Sequence, residues 1–263
     1  MIGSRLRLCG LATTLALILV LAVPASAEVA REDGVIVSFG GAVNPRLLPR
    51  VGTAPVAVTV AGRVRTADHR LPPSLRRISL EINRNGVLDN RGLPICRARQ
   101  IQPSSSLQAL RACGPAKVGG GTVSGLVVIP GQPPFGFDGR VVAFNARGDH
   151  GQPEILAHLF TKSPLALTFV LTFAVDRIAG TYGTRLVALV PKRTRRITHV
   201  TSFTLHLRRI YEFGGRRHSY LSAGCPAPEG FPGATFPLVR ASYSFDGGTQ
   251  LSSVLVRTCH ARA

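Results

Sequence analysis

Apolar residues recur at every second position along most of this chain. Val56, Val58, Val60 and Val64 share one parity; Ile78, Leu80 and Ile82 alternate with Arg77, Ser79, Glu81 and Asn83. A period of two puts one row of side chains on each side of an extended strand, one row for a core and one for water. The same reading predicts strands over residues 123–129, 140–145, 155–161, 167–175, 185–190, 200–207, 238–245 and 251–258. Gly, Pro, Asn and Asp punctuate these runs, as residues that turn a chain sharply. About ten strands at short spacing predict an all-β fold of the β-sandwich or jelly-roll kind. Residues 167–175 are apolar at both parities apart from Thr168 and Thr172, which predicts a central strand covered on both faces.

One helix start interrupts the pattern. Ser104-Ser105-Ser106 precedes Leu107-Gln108-Ala109-Leu110-Arg111-Ala112, so a serine hydroxyl can accept a free first-turn N–H, and Gly114-Pro115 stops the helix after about two turns. The short helix is therefore expected near 105–112. Residues 28–50 carry a single short apolar run, 35–39, and read as an arm with an edge strand; 51–263 read as the sandwich domain. Pro130-Gly131-Gln132-Pro133-Pro134 leaves an alternative open, two smaller sandwiches divided near 130–135.

The N-terminus follows a different rule. Arg5 and Arg7 precede an almost wholly apolar stretch, 8–23, and Ala25-Ser26-Ala27 has the small-x-small form of a cleavage site. Residues 1–27 read as a signal peptide, and the remainder as a secreted, extracytoplasmic chain with no transmembrane segment. Beyond Cys9, the even set Cys96, Cys113, Cys225 and Cys259 is then expected as two disulfides. Four cysteines allow three pairings; Cys96 with Cys113 and Cys225 with Cys259 close the shortest loops.

Charge changes the picture further. The chain has 32 Lys+Arg against 13 Asp+Glu; without Arg5 and Arg7 the balance is 30 against 13, a formal +17. Such a surface is drawn to anionic polymers of a cell envelope or to acidic glycans. Only Lys117, Lys162 and Lys192 are lysine, an arginine excess that GC-rich coding alone produces. Lys192-Arg193-Thr194-Arg195-Arg196 reads as a solvated loop between strands. In Arg208-Arg209-Ile210-Tyr211-Glu212-Phe213-Gly214-Gly215-Arg216-Arg217-His218-Ser219-Tyr220, a Gly-Gly turn would fold two arginine pairs together. Arg208, Arg209, Arg216 and Arg217 would then grip phosphate or carboxylate, with Tyr211 and Tyr220 as flat contacts. No nucleic-acid motif accompanies them.

No cofactor, metal or catalytic residue is expected. The run Glu81-Ile82-Asn83-Arg84-Asn85-Gly86-Val87-Leu88-Asp89 resembles the start of a calcium loop, but Arg84 lies inside it and Gly92 stands where the bidentate Glu belongs. Asn85-Gly86 is instead a two-residue hairpin signal. The nucleophile-elbow, zinc-protease and phosphate-loop motifs are absent from the sequence. His158 and His206 fall within strands; His206 shares a parity with Ser202, Thr204 and Arg208, a row that can line a groove. Asp138, Asp149, Glu154, Asp176 and Asp246 offer carboxylates with no spacing that selects a pair.

Residues 71–83, LPPSLRRISLEIN, together with 220–234, YLSAGCPAPEGFPGA, and 236–242, FPLVRAS, resemble a family of secreted proteins from high-GC bacteria. The likeness runs over most of the chain after the signal peptide. It implies export, and brings no activity, cofactor or catalytic residue with it. The expected role is non-enzymatic, association with an anionic envelope polymer through an Arg-rich surface. An extracellular glycan hydrolase and a purely structural module are the alternatives.

Overall fold

The computed structural model describes residues 27–262, so the expected signal peptide lies, apart from Ala27, outside the described residues. One 13-stranded sheet dominates. In spatial order its strands are β1 (Glu28–Glu32), β2 (Val35–Asn44), β5 (Ala57–Thr66), β13 (Thr198–Leu207), β8 (Lys117–Val127), β9 (Phe135–Arg147), β10 (Pro153–Thr161), β11 (Leu167–Arg177), β12 (Tyr182–Leu189), β6 (Leu75–Asn83), β17 (Gly233–Phe245), β18 (Gln250–Ala261) and β3 (Leu47–Leu48). Every neighbour is antiparallel except β3 beside β18. The sheet curls until β18 lies against β1 and β2, where Arg257 donates its Nε–H to the Gly41 carbonyl at 3.1 Å. The result is an all-β, sandwich-like body whose two halves face each other.

Alternation decides the inside. Val37 and Phe39 of β2, Val64 of β5, Val239, Ala241 and Tyr243 of β17, and Leu251 and Leu255 of β18 form one apolar cluster. On the opposite parity stand Arg63, Arg65, Arg77, Glu81, Arg185 and Arg240, with Glu81 accepting from Arg185 at 2.8 Å and from Arg240 at 3.3 Å. A second, outer cluster covers β9 to β11. Here α1 (Ala98–Ile101) and α2 (Ser106–Cys113) pack Ile101 and Ala109 on Val142, Phe144 and Leu156, and Cys96–Cys113 staples them. Ser105 caps α2, accepting from the Gln108 N–H at 3.3 Å while Gln108 Oε1 accepts from the Ser105 N–H at 2.8 Å. The other disulfide joins Cys225 to Cys259.

Two small sheets complete the fold. One is β4 (Ala54–Pro55), β16 (Leu221–Ala223) and β7 (Gly86–Leu88); the other is the hairpin of β14 (Ile210–Phe213) and β15 (Arg216–Ser219).

Several expectations are corrected. The run 35–39 is not an edge strand: β1 is the edge and β2 lies one strand in, its Val37 and Phe39 in the core. Asn85-Gly86 adjoins a turn but not a hairpin, because β7 pairs with β16 and not with β6. The Asn83 side chain closes that turn, accepting from the Asn85 N–H at 3.0 Å. Residues 130–134 join the adjacent strands β8 and β9. Lys192–Arg195 forms a helical turn, α3, not an open loop. Finally, β11 is central but incompletely covered: Leu167 to Ala174 each keep part of their surface, with Phe169, Leu171 and Phe173 of the inner row facing a cavity and the outer row only partly covered.

Candidate functional site

The arginine hairpin forms as a turn but does not gather its charges. Gly214 and Gly215 take φ values of 58° and 70°, the left-handed pair that a tight two-residue hairpin requires. Register sets Arg216 opposite Phe213 and Arg217 opposite Glu212. Arg208 and Arg209 precede β14 and lie roughly 13 Å from the turn, four residues down an extended strand. Arg208, Arg216 and Arg217 are exposed, whereas Arg209 lies back on the protein with Nη2 donating to the Pro115 carbonyl at 3.5 Å. Tyr211 is stacked on His218 at 5.6 Å and its hydroxyl donates to the Asp89 carbonyl at 3.3 Å. Tyr220 is wholly buried in a further apolar cluster with Val118, Val175, Leu221 and Cys225, so it offers no surface for stacking.

The sequence's other polar candidates are dispersed. His158 sits beneath the helical clip at 0% exposure, its Nε2 at 3.0 Å from the Ser104 carbonyl, and burial holds its pKa below the usual histidine value. His206 is exposed and bonds Thr59 through Nδ1 at 2.9 Å, on the outer face with Ser202 and Thr204. Asp138 accepts from Ser124 at 2.6 Å, and Asp246 pairs with Arg195. Burial, and then the charge of Asp149, raise the Glu154 pKa; Asp149 belongs to the β9–β10 connection, Glu154 opens β10 just after it, and neither lines an internal cavity. Glu81 is committed to two arginines and Asp89 to Arg91 at 2.7 Å, so the calcium-like run does not converge on a common point. No group of three or more His, Cys, Asp or Glu side chains clusters among the described residues.

The interior holds what the sequence did not announce. Two adjoining cavities of about 130 and 180 Å³ lie between the facing halves of the sheet. Val60, Leu80, Ala157, Phe173 and Leu205 line both, so the two spaces meet at these side chains. The first extends past Phe39, Ile82 and Leu186 to Val87, Leu88 and Leu221 of the small three-stranded sheet. The second runs past Phe137, Leu171 and Phe203 to Val190, Pro191 and Thr194, the approach to α3 and its body. Both linings are almost entirely apolar.

Alanines give part of this room, Ala143 lining the first cavity and Ala157 both, whereas the glycines of β8 serve the close approach of neighbouring backbones. Gly119, Gly121 and Val123 of β8 stand opposite Leu207, Leu205 and Phe203 of β13, and on β9 opposite Ala143, Val141 and Gly139. A Cβ at Gly121 would collide with the Thr204 carbonyl, so the backbones there approach too closely for any side chain. The sequence signal of that close approach was Val118-Gly119-Gly120-Gly121-Thr122-Val123 inside a strand.

Among the described residues no helix is long and apolar enough to cross a membrane. Comparison with models of protein families, with curated proteins and with solved structures found no match.

Proposed function

We propose that this is an exported, non-enzymatic binding protein that shelters an apolar guest between the halves of its curled sheet. The observation that carries the reading is the pair of adjoining apolar cavities. Empty space of that kind is expensive in a protein interior, about 24 cal/mol per Å³, hence about 3 and about 4 kcal/mol for the two volumes of 130 and 180 Å³. That is a large share of a typical net stability, and a guest that fills the space restores the lost contacts. Export agrees with the two disulfides, which persist in oxidising compartments.

A neutral apolar dye, N-phenyl-naphthylamine, tests this. Saturable binding at one site is expected, weakened at least tenfold by Ala157→Phe or by the milder Val60→Leu, which fill the lumen from different strands. Circular dichroism and thermal melting establish that each variant is folded. Dye binding that survives in a folded, filled variant places the dye on the surface and removes the reading.

Association with an anionic envelope polymer stands as a second reading. It is favoured by exposed arginines such as Arg208, Arg216 and Arg217 that have no acidic partner among the described residues. Retention on a polyanion such as heparin should then fall steeply with salt. Salt-independent retention, or none at low salt, overturns it.

A further inference from the structure

The two ends of the lumen differ. Every residue around the 130 Å³ cavity is buried or half-buried. The 180 Å³ cavity is bounded by Pro191, which is exposed, and Thr194, which is half-buried, so at α3 its wall is the surface of the molecule. On that surface stand Lys192 and Arg193 of α3 and Arg196 directly after it, all exposed and none with an acidic partner among the described residues. The nearby acid, Asp246, is taken by Arg195. Arg76 of β6 adds a fourth exposed cation beside them, its carbonyl accepting the Val190 N–H at 3.0 Å.

An apolar cavity asks for hydrocarbon, and a cluster of unpaired cations asks for an anion. Where the two meet within one helical turn, a single molecule satisfies both only if it carries an anion at the end of a hydrocarbon chain. The chain leaves water for the lumen, and the head forms charge-assisted bonds at the rim without being buried. A head buried in the lumen would find almost no polar partner there and would incur a heavy desolvation cost.

Building on the lumen as a ligand site, we propose that its guest is a single-chain anionic amphiphile. The guest enters tail first past α3 and leaves its head on Lys192, Arg193 and Arg196. The adjoining cavities suit one chain, since they share five lining side chains and so run one into the other's wall. The formal +17 of the exported chain raises the local concentration of such anions in addition.

The test uses the oxidised protein with cis-parinaric acid, a fluorescent fatty acid, and with its methyl ester, which keeps the chain and loses the charge. The acid should bind about tenfold more tightly than the ester at low salt, with three exposed cations each contributing modestly. The triple variant Lys192→Glu, Arg193→Glu, Arg196→Glu should erase that difference, and so should high salt. Displacement by oleate and by a lysophosphatidic acid then shows whether carboxylate or phosphate is the better head. Equal binding of acid and ester, or a preference for the acid that survives the triple variant, overturns the rim while leaving the lumen reading intact. Failure of both probes to bind, together with indifference to Ala157→Phe, removes the lumen reading itself.

Discussion

The two ends of the curled sheet are built by different means. At one end the chain is locked: β4, β16 and β7 pair across it, and Cys225 is bonded to Cys259. Backbone bonds from the Val56 N–H to the Leu221 carbonyl at 3.0 Å and from the Cys225 N–H to the Pro49 carbonyl at 2.9 Å tie the layers together. Arg50 donates to the carbonyls of Ala227 at 3.0 Å and Pro228 at 2.6 Å. At the other end stands α3, four residues held by the Arg195–Asp246 pair, by Ser74, whose hydroxyl donates to the Arg195 carbonyl at 2.6 Å, and by Thr198, whose hydroxyl donates to the Thr194 carbonyl at 2.8 Å. Single part-buried polar contacts of that sort contribute about 0.5–1.5 kcal/mol each, less than a disulfide, so this is the end that opens first under thermal motion. A container with one covalently closed end and one weakly latched end has its entrance fixed by construction.

The largest expected effect comes from unlocking the closed end. The Cys225–Cys259 bridge spans 34 residues and Cys96–Cys113 spans 17, so loop entropy assigns them about 4 and about 3 kcal/mol. Replacing both members of each pair by serine should lower urea stability in that order. The binding consequences should diverge more sharply than the stabilities. Loss of Cys225–Cys259 loosens the floor of the lumen and weakens the neutral dye. Loss of Cys96–Cys113 loosens only the clip on the outer face of β9 to β11 and leaves the dye bound. Equal loss of dye from both variants would erase the distinction between floor and outer clip.

Next in size is Tyr220, one of the residues first read as a ligand contact. It belongs to the locked end, where its backbone N–H donates to the Arg209 carbonyl at 2.9 Å and its hydroxyl has no partner among the described residues. Burial drives its phenol pKa far above the usual tyrosine value. An unpartnered buried hydroxyl costs more than it contributes, so Tyr220→Phe should be neutral or stabilise by about 1 kcal/mol in urea melts, with dye binding intact. A loss of stability or binding would show that the hydroxyl has a role and that the closed end is not simply an apolar plug.

The sequence was most legible where one local rule governs. Alternation located the long strands because a strand's two faces obey it residue by residue, and Ser105 announced α2 because the cap is a bond within four residues. Loop length pointed to both disulfides for the same reason: each partner lies near in the chain. What escaped were facts that depend on distant pieces. That β7 pairs with β16 follows from the closing of one end of the curled sheet, not from Asn85-Gly86. Tyr220 looked exposed beside two arginines because nothing local marks the point where the hairpin dives into the core. The lumen was the deepest omission. Alternation tells which row faces inward, but not whether opposite rows meet; only small inward residues such as Ala143 and Ala157 marked the space.

The smallest expected change in equilibrium is the one that best separates the two ends. Asp246→Asn releases Arg195 and so weakens the latch on α3, at a stability cost below about 1 kcal/mol for a pair whose acid is half in water. A latch over a portal acts on passage in both directions, so binding and release should accelerate together while affinity scarcely moves. The measurement is stopped-flow fluorescence with the methyl ester of cis-parinaric acid, whose neutrality removes the extra pull of a freed guanidinium. Several-fold faster rates in both directions are expected from Asp246→Asn. Arg50→Ala breaks three side-chain bonds at the locked end, to the carbonyls of Ala227, Pro228 and Phe231, and should leave the rates unaltered even as it lowers stability. If Arg50→Ala accelerates exchange and Asp246→Asn does not, the guest passes through the stapled end, and the assignment of floor and portal is reversed.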